Sequence, residues 1–358
     1  MPLQLRDDTC DDAPSRVLDI TEIDSLLALE DLNNSSALLQ LPSYEVQSHN
    51  RTLYVAQSEI AYDVDSKDYD IMCSDDATTC IILLISTRSG DTQRVLVTHL
   101  GSRKCVEGLV PYLDDMEKRT TVEMMPAFDV HICGGMDMQT NRTLYVSLME
   151  VLLAREQATY YLETLTSHNS TVDTDKITHA VKMGFGFVRQ SVVRHLLSEK
   201  DVSNDDTIFR IMPIYIPHEL RGPAMIAREL KTFTDDKLQC IHPIAFSSPT
   251  TGPRVKISHV DIHSIDSDII TYFRQVLPLP DEILLRYTST SPLCEPKHFV
   301  TALRSSWELL LTLLDDDQQE ADKEDLTCFR LQGSTANNEE SVTMYELSPA
   351  NEWLVCSS

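Results

Sequence analysis

The sequence predicts an α+β protein whose core is a β-sheet or β-sandwich flanked by helices. Many short runs of β-branched and aliphatic residues have the composition of strands. Amphipathic helical stripes interrupt them irregularly, without the strict strand–helix alternation of a parallel α/β sheet. With 358 residues, of which 42% are hydrophobic, the chain is long enough to bury a full core.

The first 48 residues are predicted to form an acidic, partly helical extension. Apolar residues recur at helical spacing between Ile20 and Leu27, so a helix is expected over residues 19–32. Asp and Thr residues near its start are suitable caps.

The main domain is predicted to cover residues 49–314 and to contain most of the strands. The strand candidates share β-branched or aromatic residues and polar or glycine-containing ends. In chain order they read RTLYVAQSEIAYDV, TCIILLIST, RVLVTHL, VEMMPAFDVHIC, ATYYLETL, TIFRIMPIYI, LQCIHPIAF and RVKISHVDI.

Helices are predicted at three places in this domain. Apolar stripes run from Leu144 to Leu152 and from Phe299 to Leu314, and a third helix is expected to start near Gly222-Pro223. Residues 178–200 carry mixed indications, because MGFGF argues against a helix and VVRHLLSEK favours one.

The last segment, residues 315–358, combines an acidic run with two short strand candidates. Residues 315–325 read DDDQQEADKED, a pattern typical of a solvated surface. The strand candidates SVTMYEL and EWLVC are expected to pack on the main domain.

Charge and hydropathy exclude several classes of function. The chain has 30 Lys and Arg against 56 Asp and Glu, giving a formal net charge of −26, so phosphate backbones and anionic membranes should repel it. No stretch approaches the roughly 20 apolar residues of a membrane-spanning helix. We therefore expect no nucleic-acid partner and no membrane partner. The scattered cysteines predict reduced thiols, and the absence of a secretory signal predicts a protein of the cytoplasm or alternatively the nucleus. We also expect a monomer without a cofactor.

The stretch SDDATTC, residues 74–80, places two acids and a thiol just before the apolar run IILLI. A cysteine becomes a nucleophile when a neighbouring base or backbone N–H groups stabilise its thiolate. Cys80, at the junction between a polar turn and a strand, is a candidate for this role. A small buried core residue is the competing interpretation of the same cysteine.

His99 is the nearest candidate base. If residues 79–87 and 94–100 pair as a hairpin, Cys80 and His99 come to the same end of the ladder. Acids beside a nucleophilic thiol raise its pKa unless a cation lies between them. A substrate ammonium bound by Asp75 and Asp76 would provide that cation, whereas a solvated turn is the simpler alternative.

Several motifs resemble the protein N-terminal asparagine amidohydrolase family, in the family's order from about residue 50 to residue 310. The two specific motifs are SDDATTC and a second that reads STSPLCEPKHF from Ser289 to Phe299. The supporting motifs are LYVAQSE at 53–59, Thr98-His99, Gly134-Gly135 after His131, and RGP at 221–223.

The resemblance implies an enzyme that converts the side-chain amide of an N-terminal Asn in proteins or peptides into Asp and ammonia. The implied nucleophile is Cys80 and the implied histidine is His99, with a thioester intermediate and no metal. The family acts in the pathway that marks proteins for degradation by their first residue. The fold it implies is similar to that of the cytotoxic necrotizing factor deamidases. Substrate-binding roles are expected for Ser74, Asp75, Asp76, Thr79, Ser289 and Ser291.

The sequence also departs from the family pattern. Ile81 replaces a histidine that commonly follows the cysteine, and residues 100–102 lack the acid that usually follows the Thr-His pair. If that acid orients the imidazole, a backbone carbonyl or a loop hydroxyl such as that of Ser289 or Ser291 must take over this role for His99.

Three alternative functions remain open from the residues. A deamidase for internal Gln, or another cysteine amidase, would bring no ammonium for Asp75 and Asp76 to bind. A non-catalytic module could bind protein N-termini. Finally, His259, Asp261 and His263 alternate along one predicted strand and could form a metal site.

Overall fold

The computed structural model divides into two compact units. The first comprises Met1–Glu45, Thr52–Tyr215 and Lys237–Pro243, and the second Val46–Arg51, Ile216–Asp236 and Ile244–Ser358. The three-segment division expected from the sequence stays a prediction. The structure describes residues 3–5, 16, 17, 41–47, 49–87, 93–120, 125–134, 138–166, 170–172, 178–180, 184–196, 208–217, 238–240, 254–257, 267–289, 292, 295, 299–301, 303, 304, 307, 308, 311, 343–347 and 353–356.

The strands are numbered in chain order through the described residues. They are β1 (Leu3–Leu5), β2 (Arg16–Val17), β3 (Tyr44–Glu45), β4 (Thr52–Tyr54), β5 (Glu59–Asp65), β6 (Ile71–Ser74), β7 (Ile81–Thr87), β8 (Arg94–Leu100), β9 (Ala127–Gly134), β10 (Thr159–Thr166), β11 (Ser170–Val172), β12 (Thr178–Ala180), β13 (Gly184–Arg189), β14 (Phe209–Tyr215), β15 (Gln239–Cys240), β16 (Arg254–Ile257), β17 (Thr343–Leu347) and β18 (Trp353–Cys356).

The helices are numbered in the same way. They are α1 (Arg103–Glu107), α2 (Val110–Thr120), α3 (Met138–Leu153), α4 (Gln190–Val193), α5 (Ser267–Val276) and α6 (Asp281–Thr288), and short 3₁₀ turns lie at Ser66–Asp68 and Arg194–Leu196.

The first unit is built on a large mixed sheet. Its strand order is β15-β5-β8-β7-β9-β10-β1-β2. The central strand β7 is antiparallel to both β8 and β9, whereas β10 is parallel to β9 and to β1. The hairpin predicted for the two apolar runs after SDDATTC is therefore present as β7 and β8.

One face of this sheet packs against helices. Successive side chains of a strand point to opposite faces, and Ile81, Leu83 and Ile85 of β7 belong to a core cluster that also contains residues of α1, α2 and α3. All seven residues of β7 are buried, so its other face is covered as well. This pattern explains why the sequence of β7 is an uninterrupted apolar run rather than an alternating one.

A second sheet, of order β3-β14-β13-β6-β4, covers the other face near β7 and β8. Strand β6 contacts β8, and β13 contacts β7. The edge of the His131 ring on β9 meets the Phe187 ring on β13, with 5.6 Å between the ring centroids. Helices, a large sheet and a smaller sheet thus form successive layers, which is consistent with the predicted α+β class. The likeness to cytotoxic necrotizing factor deamidases stays a prediction.

Several element predictions agree with the structure. Residues 178–200 contain strand β13 followed by the short helix α4, so both indications in that segment were correct. In the second unit, β17 and β18 form at the two strand candidates near the C-terminus, and Trp307 lies in a helical segment with its ring stacked 4.1 Å from that of Phe273. The predictions for residues 19–32, Gly222-Pro223 and 315–325 fall outside the described residues.

The glycines of β13 allow this strand to lie close against β6. A Cβ atom added at Gly186 would lie 2.5 Å from the Cβ of Cys73 and 2.8 Å from the carbonyl oxygen of Met72. No side chain fits in that gap without moving the β6 backbone, which ends at Ser74 and leads directly into the SDDATTC segment.

We expect Gly186→Ala to lower the free energy of unfolding by about 1–3 kcal/mol, because overpacking at a backbone contact forces the two strands apart. Urea unfolding of the variant measures this loss. Gly101→Ala is the control, because the nearest atom to its added Cβ belongs to the flexible side chain of Gln57. Equal stability of the two variants would show that the β6–β13 contact is not tight.

Candidate functional site

The SDDATTC segment is the crossover between the two sheets. Ser74 ends β6 in the smaller sheet, and Ile81 begins β7 in the larger one. Asp76 has φ 57°, in the left-handed region that Asp tolerates better than most residues. The Thr78 N–H donates to the Asp76 carbonyl over 3.2 Å and tightens the turn. The polar residues therefore lie where the chain changes layers, not in the middle of a strand.

Cys80 and His99 lie at the same end of the β7–β8 hairpin. Ile82 is paired directly with His99 in the ladder. Cys80 lies in the bend directly before Ile81, the first residue of β7, so it lies at the same end of the hairpin as His99. The face of the hairpin that carries His99 is the one covered by the smaller sheet. Cys80 has 8% of its surface exposed, so it lies at the edge of the core.

The imidazole of His99 is almost completely buried, with 2% of its surface exposed. Its Nδ1 lies 2.8 Å from the Oγ of Ser74, which is itself fully buried. Its Nε2 is also buried and has no hydrogen-bond partner among the described residues. Burial lowers the pKa of His99 to about 4, and the negative charge of Asp76 opposes part of that shift. The ring is therefore neutral at neutral pH.

Ser74 thus holds the His99 ring by a hydrogen bond. The sequence left open which group orients His99, with a backbone carbonyl or a loop residue such as Ser289 or Ser291 as candidates, and the substrate-binding role expected for Ser74 stays a prediction. The Ser289 Oγ donates to the Oε1 of Glu295 over 2.5 Å within the second unit. Ser291 lies outside the described residues. The position of Ser74, at the first residue of the motif, carried no sequence feature that pointed to this contact.

The two acids of the motif have different environments. Asp75 is 3% exposed and accepts a hydrogen bond of 2.9 Å from the Tyr54 hydroxyl. Asp76 is half-buried, and its negative charge raises the pKa of His99. Thr79 is half-buried on the same crossover. Tyr54 belongs to the motif LYVAQSE, in which no sequence feature pointed to a contact with Asp75.

Cys133, on β9, is a second thiol, on the face that carries His99. It is paired with Ile82 on the side opposite to His99. Burial raises the pKa of its thiol to about 12, so Cys133 is protonated at neutral pH.

The next residue, Gly134, has φ 111°, and a Cβ there would lie 2.6 Å from the carbonyl oxygen of Cys80. Glycine at this position therefore allows β9 to approach the Cys80 backbone closely.

The described residues contain no group of three or more His, Cys, Asp or Glu side chains placed to hold a metal ion. The candidate trio His259, Asp261 and His263 lies outside them, so the metal hypothesis stays open for those positions.

Among the described helices, none is long and apolar enough to cross a membrane.

Together, a thiol and a neutral imidazole at one end of a hairpin, with carboxylates on the adjoining crossover, are the groups that hydrolases of the thiol–histidine class use. The chain matches the family model described as protein N-terminal asparagine amidohydrolase over residues 42–199 and 202–336. These segments cover most of the chain, which therefore belongs to this family, as the motifs predicted. The comparison with curated proteins finds no match.

Lowering the pH should destabilise the fold through His99. Its pKa rises from about 4 in the folded protein to the ordinary 6.5 on unfolding, so the unfolded chain binds more protons between these values. The contribution is fully present above the unfolded pKa and is lost as the pH falls toward the folded one. The expected slope from this group reaches about 1.4 kcal/mol per pH unit.

The measurement is urea unfolding of the wild type and of His99→Gln across this pH window. Carboxylates titrate in both proteins, so the difference between the two curves isolates the histidine. A Gln variant that loses stability as steeply as the wild type would contradict the assignment of a buried neutral imidazole.

Proposed function

We propose that this protein hydrolyses the side-chain amide of an N-terminal Asn, with Cys80 as the nucleophile and His99 as the base. The family membership supports the reaction in general. The observation that carries the residue assignment is the environment of His99: one ring nitrogen is held by Ser74, and the other is buried without a partner among the described residues. A buried polar atom left in this way calls for an explanation.

The hydrogen bond to Ser74 determines which tautomer of His99 the mechanism uses. If Nδ1 carries the proton, it donates to the Ser74 Oγ, and the lone pair of Nε2 is available to accept the proton of the Cys80 thiol. Because burial keeps the ring neutral at neutral pH, His99 is in the form that a base requires.

The reaction then proceeds in two balanced halves. The Cys80 thiolate attacks the amide carbon, and a C–S bond forms as the carbonyl oxygen becomes an oxyanion that backbone N–H groups stabilise. The His99 imidazolium gives its proton to the amide nitrogen, the C–N bond breaks and ammonia leaves. Water, deprotonated by His99, attacks the thioester, which releases the Asp carboxylate and restores the thiol.

The acids of the crossover explain why the substrate needs a free N-terminus. One or both of Asp75 and Asp76 pair with the α-ammonium of the substrate, which an internal Asn lacks. Asp76 is the more exposed of the two and already influences the charge of His99, whereas Asp75 is engaged by Tyr54. Gln is rejected because its extra methylene, worth roughly 1–3 kcal/mol in fit, also misplaces the carbonyl relative to Cys80.

We also propose where the reaction takes place and which substrates it serves. The substrates are proteins or peptides that expose Asn as their first residue, and the product enters the pathway that reads the first residue as a degradation mark. The protein acts as a monomer in the cytoplasm or nucleus and needs no cofactor. Further substrate contacts are proposed for Thr79, Ser289 and Ser291.

Mass spectrometry of short peptides tests the reaction. A peptide that begins with Asn should gain the mass difference between Asn and Asp, and its N-acetylated and Gln counterparts should not. Cys80→Ala should abolish the change, because it removes the thiol that forms the thioester in the proposed mechanism. His99→Asn should lower kcat roughly 10²- to 10⁴-fold through loss of the general base.

Cys133→Ala is the matched control, because its thiol lies on the face that carries His99 but stays protonated; it should keep kcat within a few-fold of the wild type. If the acetylated peptide reacts equally well, the substrate does not need an α-ammonium contact, and the result would favour an internal deamidase. Binding of the Asn peptide with no change in mass would favour a non-catalytic module.

Loss of the Ser74 hydroxyl should slow the reaction without preventing binding. We expect Ser74→Ala to lower kcat roughly 10- to 100-fold, the range that corresponds to losing a buried hydrogen bond of about 1–3 kcal/mol. The pH profile of kcat/KM should shift as well, because Ser74 contacts Nδ1 directly. Ser86→Ala, at a buried serine on β7, is the control and should leave the profile unchanged. A shift of equal size in both variants would indicate a general effect on the fold.

A further inference from the structure

A short turn, Ala56–Glu59, leads from β4 to β5. These strands pair with β6, which ends at Ser74, and with β8, which carries His99. At one side, the Val55 N–H donates to the carbonyl of Cys73 over 2.9 Å, one residue before Ser74. At the other side, the Ser58 N–H donates to the carbonyl of His99, also over 2.9 Å. The turn is therefore attached to the smaller sheet and to the larger sheet next to both members of the Ser74–His99 pair.

The turn is closed by its own hydrogen bonds. The Glu59 N–H donates to the Ala56 carbonyl over 3.1 Å, and the Glu59 Oε2 accepts from the Ala56 N–H over 2.9 Å. Ser58 has φ 61°, which bends the chain sharply between them. Ala56, Ser58 and Glu59 are buried, whereas Gln57 is exposed at the tip. The backbone of Gln57 is thus held in place while its side chain faces solvent.

The side chain of Gln57 lies over Gly101, beyond the end of β8. A Cβ atom added at Gly101 would be 2.7 Å from the Gln57 Nε2. Gly101 follows Leu100, which is paired with Ile81, the residue after Cys80. The Gln57 carboxamide therefore lies at the Cys80 end of the hairpin, and the missing side chain at Gly101 makes room for it.

We infer that Gln57 is a substrate-binding residue that pairs with the peptide group between the first and second residues of the substrate. The inference rests on the proposed function. The thiol, the imidazole and Asp75 are buried, so the Asn side chain must enter the buried part of the site. The chain that leads away from it must pass the exposed rim, where Gln57 lies. A carboxamide has both a donor and an acceptor, as a peptide group does.

Such a contact is made equally before and during the reaction, since the first peptide group does not change chemically. An interaction of this kind contributes to binding and not to the chemical step. Its loss should therefore raise KM and leave kcat unchanged, with a rise of roughly 3- to 10-fold for one neutral hydrogen bond.

The test compares kinetics of Gln57→Ala and the wild type on an Asn peptide and on the matching depsipeptide. In the depsipeptide an ester oxygen replaces the first peptide N–H, which removes one side of the proposed pair. We expect Gln57→Ala to raise KM on the peptide and to have a smaller effect on the depsipeptide. Gly101→Ala should produce part of the same increase, because its methyl group displaces the carboxamide.

Gln93→Ala is the control, because Gln93 precedes β8 at the end of the strand remote from His99; its KM should equal that of the wild type. If the wild type is active and Gln57→Ala keeps its KM, the inference is overturned and the proposed function stands. An effect on kcat alone, or an equal effect on peptide and depsipeptide, also overturns it. If the wild type does not deamidate the Asn peptide at all, the proposed function fails and the inference fails with it.

Discussion

The hydrogen bond between Ser74 and His99 is the interaction on which the arrangement of the site depends. It joins residues 25 positions apart, one at the end of a strand in the smaller sheet and the other in the larger sheet. Both side chains are removed from water, where an unpaired polar group would be costly. The sheets must therefore pack in the register that brings these two atoms together. The same register brings the crossover, with its thiol and acids, to one end of the central hairpin.

A second buried polar cluster, around Glu117, has a structural role and differs from the site at His99. On the helix-covered side of the large sheet, both carboxylate oxygens of Glu117 accept hydrogen bonds of 2.8 Å from Arg155, and the Tyr160 hydroxyl donates to Oε1 over 2.7 Å. Every oxygen of that carboxylate is satisfied, as expected for a buried charge. At His99, by contrast, Nε2 is left without a partner among the described residues. In the mechanism proposed above, that nitrogen is the one that accepts the proton of the thiol, whereas the Glu117 cluster only holds structural elements together.

Much of the fold near the site could be predicted because it is local in sequence. Strands β7 and β8 are consecutive apolar runs joined by a short polar segment, so their pairing follows from hydrophobic pattern and turn chemistry. The pairing of β13 with β6 could not be predicted in this way. It joins segments more than 100 residues apart and depends on a gap at Gly186 that no periodicity reveals. The hydrogen bond from Ser74 to His99 could not be predicted for the same reason, since a contact between sheets depends on how the layers pack.

The sequence by itself determined the family, the candidate thiol and histidine, and the hairpin that brings them to the same end, because these depend on residue identity and on neighbouring segments. Only the tertiary structure decided that Ser74 holds His99, that Asp75 is tied to Tyr54 and that Gln57 lies over Gly101. Burial likewise decided that His99 and Cys133 are neutral at neutral pH. Hydrogen-bond partners and burial depend on contacts between segments that are distant in sequence. These contacts form only when the segments pack together and exclude water from the side chains between them.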